Sequence, residues 1–398
     1  MVEADVLESS EVVYDPYDKA VALDPWGIYR QLRDHAPAYH NEELDFWAVS
    51  RFEDVTRVLL DKENFISSHG TSLGIIQEGV EIPPGTVLME DPPTHTIHRK
   101  LLSRMFTPRR ISELEQRTRD FCVELLDPLV GQDRWDFIDD LGRRVPTRVI
   151  SMLVGIPQED EESVRDRFGA KGEKKDVEWE EWFGGAVFKE YIDWRVDHPS
   201  DDIMTQLLHL EFEDENGVVR HMTRQELLAY VNIVSAAGNE TTRLMIGWAG
   251  KLLSDHPDQR RLLAEDPSLI PAAVEEALRF EPPTLGAGRF VAHDVEVAGR
   301  TIPAGSSLAV IGASANRDER HIDDPDTFDI RRPARQHLTF GFGAHFCLGA
   351  SLARLETRVV LEEVLKRFPD WEVDMSGASF RHSGAELRGW EGLPVVIP

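Results

Sequence analysis

The chain has 398 residues, of which 41% are hydrophobic and 29% charged, and this apolar content can bury a large core. A formal net charge of −28 argues against nucleic acid and anionic membranes as partners, because most of the surface would repel a polyanion. The two cysteines, Cys122 and Cys347, are too few for a disulfide framework and favour a reducing compartment.

No linker, repeat or low-complexity tract divides the chain, so we expect residues 1–398 to form a single, monomeric domain. The segment from Met1 to Asp18 is acidic and lacks both a signal-peptide core and a membrane anchor, which favours a soluble cytoplasmic protein. Helical periodicity dominates, and strand-like pieces such as Phe46 to Ser50 and Ser307 to Ile311 are short. The pattern predicts a mainly α fold with small β-sheets.

Two stretches are basic despite the negative net charge. The stretch from Thr94 to Ser112 has no acidic residue, and the stretch from Arg331 to Arg358 has only Glu356. The basic residues of the first are Arg99, Lys100, Arg104, Arg109 and Arg110. Both stretches could receive an acidic protein partner, or they could be solvated faces together with arginines that bind buried carboxylates.

The longest predicted helix runs from Arg224 to His256, opens with the capping-box pattern Thr223-x-x-Glu226 and stops before Pro257. At about 1.5 Å per residue it spans roughly 50 Å, enough to cross a domain. Its middle, Ala236 to Thr242, combines small residues with an acid and two hydroxyls. Glycine weakens a helix and a threonine hydroxyl competes for backbone carbonyls, so we expect local widening or bending and room for a diatomic ligand.

A glycine-rich loop, Phe340 to Gly349, presents Cys347 just before a predicted helix from Leu348 to Phe368. Its glycines allow the close approach of a flat, bulky group. A cysteine at a helix N-terminus is expected to favour the thiolate, which binds metals. The alternative is a buried free cysteine beside a turn.

The spacing Phe-x-x-Gly-x-x-x-Cys-x-Gly in this loop resembles the haem-ligand signature of the haem-thiolate monooxygenases, the cytochrome P450 family. Further motifs agree in order from His95 to Gly349. The resemblance implies a long central helix over a buried haem b (iron protoporphyrin IX). It makes Cys347 the iron ligand, with Phe340, Gly341 and Gly349 in the cofactor loop and Ala237 and Gly238 over the haem.

The resemblance also assigns roles to charged and polar residues. Glu240 and Thr241 become an acid–alcohol pair that delivers protons. The family positions that clamp the haem propionates are occupied by His95, Arg99, Arg289 and His345. Glu276, Arg279 and Arg332, the last favoured over Arg331, form a structural network. His337 is expected either to contact the porphyrin edge or to cap the loop.

The implied reaction is the hydroxylation or epoxidation of a lipophilic small molecule such as a steroid, terpenoid, macrolide or fatty acid. Its oxidant is O2, and two electrons come from NAD(P)H through ferredoxin reductase and ferredoxin. Two alternatives stay open: a haem enzyme of the same fold that catalyses another oxidation, and a haem-based sensor. The presence of Glu240 and Thr241 argues against the sensor, which requires no proton delivery.

The resemblance places the substrate pocket in segments that are distant in sequence: Ser67 to Met89, Phe168 to Phe188, Ile233 to Ala237, Thr284 to Gly288 and the turn around Leu387. The individual candidates are Ile233, Ala237, Thr284, Leu285 and Leu387. Because residues 284–287 are small or aliphatic, we expect an apolar and fairly roomy pocket.

Overall fold

A computed structural model of the chain describes residues 12–104, 106–156, 186–200, 202–333, 335–381 and 386–398. Helices dominate these residues, as the sequence predicts. The α-helices are α1 Lys19–Leu23, α2 Trp26–His35, α3 Phe52–Leu60, α4 Leu73–Glu78, α5 Thr94–Ser103, α6 Pro108–Leu126, α7 Val145–Val154, α8 Ala186–Asp197, α9 Ile203–His209, α10 Arg224–Asp255, α11 Pro257–Glu265, α12 Ile270–Phe280, α13 Gly312–Ala315 and α14 Ala350–Arg367. Phe137–Gly142 forms a π-helical turn.

The strands are short and form small sheets. They are β1 Ala38–Asn41, β2 Phe46–Val49, β3 Phe65–Ile66, β4 Arg134–Asp136, β5 Glu211–Glu213, β6 Val219–His221, β7 Ala287–Val291, β8 Val295–Val297, β9 Arg300–Ile302, β10 Ser307–Val310, β11 Glu372–Val373, β12 Ser379–Phe380, β13 Trp390–Gly392 and β14 Pro394–Val396. The largest sheet has the order β1-β2-β10-β7-β3, in which β2 and β10 are parallel and the other neighbours antiparallel.

Helix α10 confirms the predicted central helix and its capping box. The Thr223 hydroxyl accepts the Glu226 N–H, and the Glu226 carboxylate accepts the Thr223 N–H. Its flanking halves are buried in the main hydrophobic cluster, where α10 packs against α7, α14 and the π-helical turn. A second cluster fills the space between the large sheet and α3.

Helix α14 buries the carboxyl group of Glu356 in the main hydrophobic cluster, where no described residue supplies a cation. Glu356 is 1% exposed, and its Oε2 has no hydrogen-bond partner in the described part of the chain. Burial raises the pKa of this carboxyl well above its ordinary value. The folded protein therefore keeps a proton that the unfolded chain releases above about pH 4.3, so this group's contribution to stability is lost as the pH rises.

Glu356→Gln should remove that pH dependence. We expect the free energy of unfolding of the variant, relative to wild type, to grow with pH above pH 5 by up to about 1.4 kcal/mol per pH unit. Urea unfolding between pH 5 and 8 measures the difference, with the exposed Glu42→Gln as the control. A constant difference across this range would show that Glu356 is ionised in the folded protein.

Candidate active site

The loop that carries Cys347 is closed by backbone hydrogen bonds. The Cys347 N–H donates to the Phe340 carbonyl at 2.8 Å, and the Gly341 N–H donates to the Leu338 carbonyl at 2.9 Å. Gly341 and Gly343 have φ values of 68° and 72°, which disfavour any residue with a Cβ. A Cβ on Gly343 would also lie 2.8 Å from the Leu59 carbonyl oxygen. Gly343 therefore serves the packing of the loop on α3 rather than the approach of a flat group. At Gly349, in contrast, a Cβ would meet only open space.

The Cys347 side chain is accessible, yet protein atoms crowd around it, so it lies in the wall of a recess. Desolvation raises the pKa of the thiol, while the N–H groups of Gly349 and Ala350 and the charges of Arg99 and Arg354 lower it. Desolvation raises the thiol pKa more than the helix N–H groups and the two arginines lower it. The prediction that the helix terminus favours the thiolate is therefore wrong for Cys347 without a bound metal. A metal cation bound to Cys347 would supply the missing stabilisation, since a thiol that binds a metal is deprotonated.

Four basic residues converge beside the loop. The rings of His95 and His345 lie 4.1 Å apart. Desolvation and the positive charges of His95, Arg289 and Arg99 lower the pKa of His345 to about 3. Burial lowers the pKa of Arg289 to about 10, although Asp91 opposes the shift. The Nδ1 atom of His95 is buried and has no hydrogen-bond partner among the residues that the structure describes.

Desolvation keeps the two imidazoles neutral, so the charge of this cluster comes from Arg99 and Arg289, and partly dehydrated guanidinium groups favour the binding of anions. Two carboxylates would satisfy the orphaned imidazole nitrogen and the buried guanidinium, as the propionates of a haem would. Arg99 is also tied to the loop, because its guanidinium donates to the Phe346 carbonyl. The cluster and the adjacent thiol therefore fit a haem whose iron binds Cys347.

The middle of α10 is accessible although both flanking halves are buried. Ala237 is exposed, and Gly238, Glu240 and Thr241 are partly exposed, which places this stretch along an internal recess. The expected widening is absent, because α10 is α-helical throughout. The Thr241 hydroxyl donates to the Ala237 carbonyl at 2.8 Å without interrupting the helix.

Gly238 has a packing role that the sequence did not indicate. A Cβ at this position would lie 2.5 Å from the Cδ1 atom of Ile150 on α7. The missing side chain therefore permits close packing of α10 on α7. The predicted position of Ala237 and Gly238 over a haem stays a prediction.

The carboxylate of Glu240 is held by two arginines that the sequence did not indicate. Its Oε1 lies 2.5 Å from Nη2 of Arg243, and Arg381 also bonds to Oε1. Arg243 in turn pairs with Glu391 at 3.0 Å. Glu240 is thus anchored in an ion-pair network at the edge of the recess instead of reaching freely into solvent. The three-residue spacing of Glu240 and Arg243 could have indicated one of these pairs, but no local pattern connects Arg381 to α10.

Comparisons with known proteins agree with this geometry. A profile of the family described as Cytochrome P450 matches residues 186–379. The chain is 35% identical over 402 residues to the putative cytochrome P450 123 of Mycobacterium tuberculosis, covering 97% of each chain. The chain belongs to the cytochrome P450 family. It is a haem monooxygenase of the bacterial type.

Solved P450 structures show the same fold. Cytochrome P450 CYP109Q5 from Chondromyces apiculatus superposes with a TM-score of 0.85 at 35% identity, covering 96% of this chain and 97% of that chain. A mutant of P450 EryK in complex with erythromycin B also gives a TM-score of 0.85, at 34% identity, covering 97% of this chain and 98% of that one. Within the described parts of this P450, no helix is long and apolar enough to cross a membrane.

The predicted ion network behind the cysteine loop is present in this P450. Glu276 pairs with Arg279 at 2.7 Å and with Arg332 at 3.1 Å, whereas Arg331 is exposed. Arg279 also donates to the carbonyl of Asn316 at 3.1 Å. No local sequence pattern indicated Asn316.

The side chain of Asn316 connects this ion network to the cysteine loop. Its amide donates to the Thr339 hydroxyl and accepts the Leu338 N–H, at 2.9 and 2.6 Å. His337 binds Glu275 at 3.2 Å, which favours the loop-capping role over contact with the porphyrin. Arg354 holds Glu275 from the other side and lies over the Phe340 ring, 4.5 Å from its centroid.

The candidate pocket residues lie in different environments. Thr284 pairs with Leu387 in an isolated β-bridge, so these two meet as predicted. Ile233 is buried one helical turn before the exposed Ala237, on the same face of α10. Leu285 instead packs with Tyr29 and Ile311 in a separate cluster, so we remove it from the pocket.

Gly286 lacks a side chain because of backbone packing and not to widen a pocket: a Cβ there would lie 2.2 Å from the Val310 carbonyl oxygen. The roominess expected from residues 284–287 is therefore not supported by Leu285 or Gly286. Most of the segment from Phe168 to Phe188 lies outside the described residues.

Proposed function

We propose that this P450 hydroxylates or epoxidises a lipophilic small molecule in the cytoplasm, as a monomer with haem b. The observation that carries the proposal is that the Cys347 thiol is accessible beside the cluster of His95, Arg99, Arg289 and His345; the accessible stretch of α10 that bears a carboxylate and a hydroxyl supports it. Bound haem supplies the iron at which dioxygen is reduced. EryK, which is bound to erythromycin B in its structure, makes a macrolide one reasonable substrate class.

Each residue has a defined task in this proposal. Cys347 would hold the iron, and the cluster of His95, Arg99, Arg289 and His345 would bind the propionates. Thr241 would present its hydroxyl to the reacting oxygen, and Glu240 would pass protons to it from the edge of the recess. Because this machinery serves proton delivery, it favours an oxygenase over the sensor alternative.

The substrate is best sought by screening steroids, terpenoids, macrolides and fatty acids against the holoenzyme. A ligand that displaces the distal water changes the spin state, and each ligand found this way is then tested for oxidation with NADPH, ferredoxin reductase and ferredoxin. We expect an oxygenated product from at least one of them. Binding without any oxidised product across the panel would contradict the proposal and favour the sensor.

Thr241→Ala should separate electron use from product formation. The variant loses the hydroxyl and the γ-methyl of a partly exposed residue, so haem content should stay normal. We expect product formed per NADPH to fall about tenfold, with hydrogen peroxide rising to match. The matched control is Thr242→Val, because Thr242 is buried and lies outside the recess. Unchanged coupling in Thr241→Ala would remove this residue from proton delivery.

We propose that ferredoxin, which supplies the electrons, docks on the two basic stretches, 94–112 and 331–358. Several of their arginines are already paired: Arg109 pairs with Glu113 at 2.9 Å, and Arg358 pairs with Glu115 at 2.8 Å. Lys100 and Arg104 are exposed and have no ion-pair partner among the described residues. They are therefore the charges best placed to attract an acidic protein.

The double substitution Lys100→Gln with Arg104→Gln should slow reduction by ferredoxin about tenfold at low ionic strength, because electrostatic steering is lost. Stopped-flow reduction at increasing salt should show a steep fall for wild type and a shallow one for the variant. The matched control is Lys19→Gln with Arg261→Gln, which removes the same net charge from exposed positions outside both basic stretches. A wild-type rate that does not respond to salt would exclude this docking surface.

A further inference from the structure

Three segments assigned to the substrate pocket meet around Glu386. Thr284 pairs with Leu387, and the Leu285 N–H donates to the Glu386 carbonyl at 2.7 Å. The Gly288 N–H donates to the Thr71 carbonyl at 2.6 Å, which joins the loop before α4 to the start of β7. The side chain of Glu386 completes the junction through a hydrogen bond with Ser72.

Ser72 is the only partner of the Glu386 carboxylate in the described parts of the chain. The Ser72 Oγ accepts the Ile75 N–H at 3.3 Å as the N-cap of α4, so its hydroxyl hydrogen is available to Glu386. The nearest arginine in sequence is engaged elsewhere. Arg388 pairs with Glu281 and donates to the carbonyls of Ala22 and Leu23.

The surroundings of Glu386 are negative and partly dehydrated. Burial raises the pKa of its carboxyl to about 7, although the Ser72 hydrogen bond opposes the shift. Burial, followed by the charges of Glu386, Asp15 and Glu78, raises the pKa of the nearby Tyr17. A carboxylate that is dehydrated without a cation is costly, and a ligand that supplies the cation removes that cost.

We propose that Glu386 is a specificity residue that binds a cationic nitrogen on an otherwise lipophilic substrate. The proposal rests on the proposed function, because it assigns Glu386 to the pocket of that reaction. The favoured substrate class is then an amine or quaternary ammonium compound with a large apolar portion. Neutral lipids of the same length should bind less tightly.

Two probes of equal chain length test the charge preference: decyltrimethylammonium and decan-1-ol. The ammonium nitrogen has no lone pair and cannot bind iron. Isothermal titration calorimetry at pH 8 with the haem-loaded protein should show wild type binding the cation about tenfold more tightly, which corresponds to about 1.4 kcal/mol. In Glu386→Gln, the cation should lose this factor while the alcohol binds within about twofold of wild type.

Glu81→Gln is the matched control, because Glu81 is an exposed carboxylate of the loop in residues 67–89. It should leave both affinities unchanged. Equal binding of the two probes by wild type, or equal loss of both in Glu386→Gln, would overturn the proposal. Calorimetry requires no turnover, so a charge preference can hold even if no oxidised product forms; the two proposals therefore fail independently.

Discussion

Replacing Arg279 with methionine is expected to destabilise the protein by about 3–5 kcal/mol, a large part of a typical folding free energy. Arg279 is 2% exposed, and Glu276, its carboxylate partner, is 5% exposed. Without the guanidinium, Glu276 becomes a buried charge whose one remaining cation among the described residues is Arg332. Methionine fills much of the volume, so the loss measures charge and hydrogen bonds more than packing.

The effect of Arg279→Met should extend to the cysteine loop. All five guanidinium hydrogens are used, on Glu276 and on the carbonyls of Asn316, Pro325 and Thr327. Since Asn316 holds the backbone N–H of Leu338 and the side-chain hydroxyl of Thr339, we expect less haem per protein as well as lower stability.

Urea unfolding and haem content measure these two consequences together. Arg331→Gln is the control, because this arginine is exposed and lies next to Arg332, which belongs to the network. We expect the control to change stability by less than about 0.5 kcal/mol. A stable, fully haem-loaded Arg279→Met protein would show that the network does not support the loop.

Cys347→Ser should abolish monooxygenase activity. Serine keeps the size and backbone of the loop, including the N–H that donates to Phe340 at 2.8 Å, but replaces the sulfur ligand. An alkoxide is far less accessible than a thiolate at neutral pH, so the electron donation that supports O–O cleavage is lost. We expect product formation to fall below detection, while the propionate cluster can still retain haem.

The control for this variant is the other cysteine. Cys122 is fully buried, and burial raises the pKa of its thiol to about 12, so it is neither accessible nor ionised. Cys122→Ala should retain activity. Measurable product formation by haem-loaded Cys347→Ser would mean that another residue holds the iron.

Local sequence signals predicted the elements that depend on short-range physics. The capping box and Pro257 fix α10 to within a residue of the predicted bounds, and glycines with positive φ shape the cysteine loop. The family spacing selected Arg332 over Arg331, and the ion pair with Glu276 confirms it. The capping box and the glycine loop are encoded within a few residues, whereas Arg332 pairs with Glu276 across 56 residues and was predicted from the family resemblance.

The errors arise where distant segments meet. The thiol pKa depends on how the whole fold desolvates Cys347, which the helix terminus alone cannot indicate. Gly238 and Gly286 are small because of Ile150 and Val310, which are far away in sequence. Arg381 reaches Glu240 across 141 residues, so only the folded chain reveals that anchor.

The absorption spectrum of the reduced, carbon monoxide-bound wild-type holoenzyme tests most directly whether Cys347 binds haem iron. We predict the long-wavelength band of thiolate-ligated haem, because the accessible thiol lies beside the cluster that fits the propionates. A band at the shorter wavelength of imidazole-ligated haem, in protein that is otherwise folded and fully loaded, would contradict this assignment.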